Sequence, residues 1–249
     1  MGTAQRIHDY KLEELLRCPY KFHKEEARRA AGKFDPNWRQ LVQYSVGYII
    51  NDYYSLPAQL RNSTALLRIA ERRWTNRIGR FGSLERFAQV KGQALANLTR
   101  HLDMAQSGLE PLMLFESHDA YIPELGLNLS MILQAVFSLG NTGELAAGGE
   151  PPGYIVRKYL VAADQEIVDA FCHMTAVFCK HAFSQLPQRI EVYGIMEDVL
   201  YSIAPDEASL AQSVDYVRLL TGFMPEAGNM RKDRAAAECG GCPYKNDCF

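Results

Sequence analysis

Apolar residues in the first hundred positions recur at three-and-four spacing, the period of one buried helix face. Leu41, Val42, Val46, Ile49, Ile50 and Tyr53 form such a stripe, which ends before Pro57. Leu66, Leu67, Ile69, Ala70 and Trp74 form a second, behind Ser63 or Thr64 as candidate caps. Leu84, Phe87, Val90, Leu95, Leu98 and Leu102 form a third behind Ser83. A shorter helix is predicted over about 11–17, halted at Cys18-Pro19, because the residue before proline is pushed towards extended backbone. The pattern then changes. Residues 112–118, 127–138 and 153–162 read as strands, set apart by Gly140-Asn-Thr-Gly143 and Gly148-Gly-Glu-Pro-Pro-Gly153. A helix over about 165–184, a strand over 189–204 and a helix over about 207–222 complete the pattern, and Gly228 to Ala237 reads as a linker.

These elements predict one α/β domain over 1–249: a helical part to about 108, a sheet-containing core over about 109–225 and a cysteine tail over about 228–249. At 249 residues and 47% hydrophobic, the chain is long enough for a substantial core. It has no run of eighteen apolar residues to span a membrane, and its N-terminus lacks the apolar stretch of a signal peptide. A cytoplasmic protein is expected.

Charge is divided along the chain. Residues 1–100 hold 18 Lys and Arg against 9 Asp and Glu, whereas residues 101–249 hold 9 against 20. Arg28, Arg29, Lys33 and Arg39 make one basic stretch. Arg61, Arg68, Arg72, Arg73, Arg77 and Arg80 make another, with Trp74 among them. Basic side chains interleaved with an aromatic suit a phosphate backbone and a stacked base, so Arg68, Arg72, Arg73, Trp74 and Arg77 are candidate DNA contacts. A solvated helix face accounts for the same pattern.

The cysteines carry the most specific signal. Cys18 stands near the start, and Cys239, Cys242 and Cys248 follow a C-x2-C-x5-C spacing at the end. Cys18-Pro-Tyr-Lys21 recurs as Cys242-Pro-Tyr-Lys245. Four thiolates complete the ligand set of one soft metal centre, a four-iron cluster or a zinc ion. Structural zinc favours paired knuckles close in sequence, and the one-plus-three arrangement suits a cluster better. Cys172 and Cys179, seven apart on a predicted helix, read as core. His173 and His181 stand about two turns apart on the same helix. No phosphate-binding glycine loop of the nucleotide-driven motors is present.

The sequence Leu-Arg-Cys18-Pro-Tyr-Lys-Phe22 after a short helix, together with the C-terminal cysteines, resembles the iron–sulfur branch of the PD-(D/E)XK nucleases. That branch includes the nuclease domain of AddB and the CRISPR-associated exonuclease that trims new spacers. The resemblance covers the whole chain in element order. It implies a restriction-endonuclease-like mixed sheet flanked by helices, with a helical N-terminal insertion and a 4Fe–4S cluster on Cys18, Cys239, Cys242 and Cys248 joining the two ends. The nuclease motifs depart from the family pattern. Asn51 closes Gly47-Tyr-Ile-Ile-Asn51, where the family has histidine. Gln134 stands at the metal-binding aspartate, and Arg157 and Tyr159 replace the acid and lysine of the next strand. The helix over 165–184 lacks the Q-x-x-x-Y motif.

Hydrolysis through Mg²⁺ or Mn²⁺ needs carboxylates to hold the ions, which Gln134 and Arg157 do not supply. The expectation is an inactive nuclease-like subunit that binds DNA, a helicase or a nuclease partner in repair, recombination or anti-phage defence. An active nuclease with relocated acids, for which Glu116 and Asp119 are candidates, and a purely protein-binding scaffold remain alternatives; Glu197-Asp198 resemble a carboxylate pair, but adjacent strand residues face opposite sides and do not easily bind one metal together.

Overall fold

The computed structural model describes residues 5–104, 109–139, 153–222, 239 and 242–248. The chain opens with strand β1 (Gln5–His8), which the sequence pattern did not suggest, because only Ile7 of its four residues is buried and apolar. A 3₁₀ turn at Asp9–Lys11 leads into α1 (Leu12–Arg17). Cys18 then interrupts the helix, as expected of a residue before proline, but Pro19 starts a new one, α2 (Pro19–Ala30). Proline is pre-shaped for a first helical position, where its missing N–H costs nothing. The Cys18 sulfur caps this helix by accepting the Lys21 N–H at 3.4 Å.

Helix α3 (Trp38–Tyr54) begins in a capping box: Asn37 Oδ1 accepts from Gln40 N–H at 3.1 Å, and Gln40 Oε1 accepts from Asn37 N–H at 2.8 Å. Helix α4 (Ser63–Arg73) is capped by Asn62, one residue ahead of the expected Ser63 or Thr64. In α5 (Leu84–Met104) the expected cap holds, with Ser83 Oγ accepting from Arg86 N–H at 3.1 Å. The strands β2 (Pro111–Ile122), β3 (Leu127–Ser138) and β4 (Tyr154–Leu160) follow, then α6 (Gln165–Phe183). The stretch predicted as one strand over 189–204 is a hairpin, β5 (Arg189–Gly194) and β6 (Val199–Ile203). Its turn holds Asp198 in the left-handed region at φ 56°. Helix α7 (Glu207–Thr221) and the single turn α8 (Lys245–Cys248) complete the described chain. The turn sequences at 140–143 and 148–152 and the linker over 228–237 lie outside the described residues.

The fold is mixed α/β, with helices on both faces of a mixed six-stranded sheet. Strand β3 is its hub. Along one edge it pairs antiparallel with β2 for nearly its full length. Its other edge is shared. β1 runs parallel beside Leu127–Ser130, and β4 runs antiparallel beside Ala135–Ser138. The C-terminal ends of β1 and β4 therefore converge on a fork beside residues 131–134. β4 continues parallel to β5, and β5 pairs antiparallel with β6.

Two apolar cores follow from strand alternation. One face of the sheet carries Val156, Leu160, Ile190 and Val192 against Val168, Phe171 and Val177 of α6 and Val217 of α7. The other carries Phe137, Tyr159 and Tyr193 against Val46, Ile50 and Tyr54 of α3, Leu66 of α4 and Leu98 of α5. β3 changes phase at the fork. Leu129, Met131 and Leu133 belong to the first core, whereas Ala135 and Phe137 belong to the second. Opposite this point on β2, Phe115 has φ 51°, an uncommon conformation for a bulky residue. Its ring lies against Gly47 of α3, where an added Cβ would sit 3.2 Å from Phe115 Cε1.

Candidate functional site

The fork in the sheet gathers three of the four positions read as altered nuclease residues. Gln134 is buried at the end of the β3–β4 ladder, and its Oε1 accepts the Tyr159 N–H at 2.7 Å. Gln43 on α3 completes the seal: its Nε2 donates to Tyr159 O at 2.8 Å and its Oε1 accepts from Val161 N–H at 3.0 Å. Two glutamine amides thus satisfy the backbone of β4 where β3 no longer reaches it. The Tyr159 hydroxyl, fully buried, lies 3.3 Å from the Tyr54 hydroxyl. Burial lifts the Tyr159 phenol well above its ordinary range, so the group is a neutral structural hydroxyl.

Arg157 is 4% exposed, and its charge is compensated. Its Nε and Nη2 lie 2.8 and 2.7 Å from a single oxygen of Glu191, its register partner on β5. Its Nη1 reaches the Tyr54 hydroxyl at 3.4 Å, and its guanidinium stands 5.0 Å from the Phe137 ring centroid. The other Glu191 oxygen stands 3.6 Å from Arg189 Nε. Above the pair, the His101 ring stacks on Tyr193 with centroids 3.8 Å apart. Burial and then the Arg157 charge push the His101 imidazole down to about 3.

A second buried pair occupies the opposite face. Lys158 Nζ lies 2.5 Å from Asp9 Oδ2, and Asp9 Oδ1 accepts the Ile132 N–H at 3.0 Å inside the fork. Neighbouring strand residues point to opposite faces, which is why Arg157 and Lys158 each find a separate acid. The two buried carboxylates around the fork are thereby committed to fixed cations. Among the described residues, neither buried carboxylate at the fork is left without a cation partner.

The remaining sequence candidates are dispersed. Asn51 is half-buried on α3, and among the described residues it shares no hydrogen bond with Gln134, Arg157 or Tyr159. Glu116 and Asp119 lie on β2 at the sheet edge, the first 3.2 Å from His118 and the second 3.8 Å from Arg6, both half-exposed. Glu197 and Asp198 sit in the β5–β6 turn rather than along a strand. Glu197 accepts from Ala163 N–H at 3.3 Å, and Asp198 accepts from the Tyr193 hydroxyl at 2.6 Å. Cys172 and Cys179 fill core, and burial pushes both thiols up to about 12. His173 bonds Ser213 at 3.0 Å, and His181 lies 3.4 Å from Glu124, so the two share no ligand site.

The basic half is largely spent on internal contacts. Arg61 is buried and donates to the carbonyls of Tyr54, Leu56 and Leu109. Arg73 holds Asp52 through two bonds at 2.7 and 3.1 Å, and Arg80 pairs with Asp35. Trp74 does not present a ring to a base. It is 8% exposed and packs in the helical core beside Ile69 and Ala70. Arg68, Arg72 and Arg77 are exposed, and among the described residues their guanidinium groups have no ion pair.

The two ends of the chain meet. On α2, the Tyr20 hydroxyl reaches Asp247 O at 3.4 Å, and Lys24 Nζ lies 3.3 Å from the Asp247 carboxylate. The Tyr244 hydroxyl donates to Glu25 at 3.0 Å and accepts from Arg28 at 3.4 Å. Both copies of Cys-Pro-Tyr-Lys introduce a helix: Cys18 caps α2, and Cys242 O accepts the first N–H of α8 from Lys245 at 3.2 Å. Cys18, Cys239 and Cys242 are half-buried, while the Cys248 side chain lies outside the described residues. Among the described residues no group of three or more acidic, histidine or cysteine side chains stands at metal-binding distances. Cys18, Cys239 and Cys242 are therefore not gathered into such a group.

No protein-family model matches the chain, and no curated protein matches it. A solved structure described as "Crystal structure of SSO0001" is similar at 12% identity, over 100% of this chain and 87% of that chain, with a TM-score of 0.37. A likeness that distant leaves the functional reading to the geometry of this chain. No helix among the described residues is long and apolar enough to cross a membrane.

Proposed function

We propose that the protein is a nuclease-like scaffold without cutting chemistry, one that binds DNA or a helicase or nuclease partner and is stapled at its ends by a cysteine-held metal cluster. The observation that carries this reading is the buried Arg157–Glu191 pair beside the Gln134 and Gln43 amides. Gln134 and Arg157, the positions at which the resemblance would put ion-binding carboxylates, carry a neutral amide and a fixed guanidinium, which supports the reading. The element order supports the nuclease-like scaffold: helix α3, the antiparallel run β2–β3–β4, helix α6, then β5 parallel to β4.

Single- and double-stranded DNA incubated with Mg²⁺ or Mn²⁺ and the purified protein should remain intact. Cleavage abolished by Glu116→Ala or Asp119→Ala would instead establish relocated acids. DNA retention, measured by fluorescence anisotropy, should weaken with salt at a log–log slope of roughly −0.9 for each duplex phosphate neutralised. Arg68→Glu, Arg72→Glu and Arg77→Glu together should abolish most of that affinity. Absence of affinity at low salt would leave protein binding as the scaffold's work.

Cys18, Cys239, Cys242 and Cys248 are the proposed cluster ligands. When bound, such a cluster supplies a covalent tie between distant chain segments rather than a reaction. The Lys21 N–H aimed at the Cys18 sulfur is the kind of contact that steadies a metal thiolate. Protein prepared without oxygen should be brown, with about four irons per chain. Cys18→Ser should lose both colour and stability, because metal binding and folding are linked, whereas Cys172→Ser should keep the colour. One stoichiometric zinc in a colourless protein would replace the cluster by the zinc alternative.

A further inference from the structure

The outer edges of the sheet at β2 and β6 are treated differently. An open strand edge presents unpaired N–H and C=O groups to any other strand, and proteins guard such edges with charges, bulges or proline. β2 is guarded in all three ways: it begins at Pro111, its register shifts between Pro111 and Met113, and it carries Glu116 and Asp119. β6 has none of these devices. Its five residues, Val-Leu-Tyr-Ser-Ile, are uncharged and pair with β5 without a register shift. Val199, Leu200 and Ile203 are 41%, 45% and 40% exposed, and among the described residues no strand lies along the outer side of β6. The edge is also held in place. The Tyr201 hydroxyl donates to Ala163 O at 3.1 Å, and Asp198 in the preceding turn is fixed by the Tyr193 hydroxyl and by Arg100.

The strand that fits this edge is β6 of a second copy. Antiparallel pairing centred on Tyr201 sets Val199 against Ile203 of the second copy and Leu200 against its Ser202. Residues so paired are an even number of positions apart, so the outward backbone groups of one copy meet outward groups of the other. The two exposed β-branched side chains then cover each other across the joint.

Charge favours the same arrangement. Arg189, Glu191 and Tyr193 share one face of β5 by alternation, and Asp198 meets the Tyr193 hydroxyl on that face. Arg189 is half-exposed, and the acid beside it, Glu191 at 3.6 Å, is committed to Arg157. Ile190 is the register partner of Ile203, so Arg189 stands beside Ala204. Across the joint, Ala204 is opposite Asp198 of the second copy. Each protomer thus brings a guanidinium with spare charge to the acidic turn of the other, twice about the two-fold axis. An unrelated strand would have to supply that acid by chance; a second copy carries it at the required place.

We propose that the protein forms a two-fold dimer through antiparallel β6–β6 pairing, which joins two six-stranded sheets into one continuous sheet. This goes beyond the scaffold reading and depends on neither DNA nor metal.

Sedimentation velocity of the full-length protein over a dilution series should show a monomer–dimer equilibrium, with a Kd of about 1–100 μM as befits a small interface. Val199→Lys with Ile203→Lys places lysines opposite one another and should weaken the dimer at least about tenfold, with the melting curve of the monomer unchanged. Val199→Glu with Ile203→Lys sets opposite charges at the same two places and should restore dimerisation. Arg189→Glu should weaken the dimer, and more so at low salt, where its repulsion from Asp198 is least screened. A monomer at every concentration, a dimer indifferent to the paired lysines, or a Glu–Lys variant that dimerises no better than the Lys–Lys variant overturns the proposal.

Discussion

Glu191→Gln should destabilise the protein by about 3–5 kcal/mol, because it strands the Arg157 guanidinium inside the sheet without its counter-charge. Both partners are 5% exposed or less, so water cannot replace the lost carboxylate. Arg157→Met should cost a similar amount from the other side. The double variant Arg157→Met, Glu191→Leu should recover much of the loss, since well-packed apolar residues often replace a buried pair without penalty. Denaturant midpoints of the parent protein, Glu191→Leu, Arg157→Met and the double variant form the required cycle. Additive losses in the double variant would mean that the two charges act independently. The pair would then not be the unit that fills the fork.

The second large effect is on acid stability. His101 is held near 3 in the folded protein against an ordinary 6.5, by burial first and by Arg157 second. The unfolded chain therefore takes up a proton that the folded one refuses. The associated stability is complete above about pH 6.5 and falls as the pH drops from there towards 3, by about 1.4 kcal/mol for each pH unit. His101→Phe keeps the stack on Tyr193 and removes the titrating nitrogen. Between pH 6.5 and 4.5 it should lose roughly 2 kcal/mol less than the parent protein. Parallel stability curves for the two proteins over that range would show that His101 accepts its proton while folded.

Much of this architecture was legible where periodicity was strong. The stripes of α3, α4 and α5 and the apolar run of β3 appear close to where the sequence placed them, because burial of one face dictates both pattern and element. Helix α2 was hidden for the converse reason: only Pro19 and Phe22 of its twelve residues are buried, so it has almost no stripe. The β5–β6 turn was hidden by the apolar Ile195 and Met196 and by the absence of proline and of a central glycine. Its bend relies on Asp198 accepting a left-handed backbone, which aspartate tolerates better than most residues. The fork itself was half legible. Gln134, Arg157 and Tyr159 were picked out as departures from a pattern, but their partners Glu191, Gln43 and Asp9 lie on other elements, and only strand register brings them near. An acid such as Glu191 in the middle of an apolar strand is the signal that was available. Trp74 misled because interleaving with arginines in sequence says nothing about which way a ring points.

The placement of β3 as hub has a consequence for the order in which the chain is made. β1 emerges from the ribosome early, but its partner Leu127–Ser130 follows roughly 120 residues later. At about 5–20 residues per second, the N-terminal strand waits some 6–24 s without a sheet to join. Asp9 waits as long for Ile132, and longer for Lys158. The last of these contacts to become possible join α2 to Tyr244 and Asp247, more than two hundred residues further on. α3, α4 and α5 are free to associate during that interval, since they pack on one another over short separations. The order of birth therefore favours a helical nucleus first, then closure of the sheet around β3, with the N-terminal segment docking late.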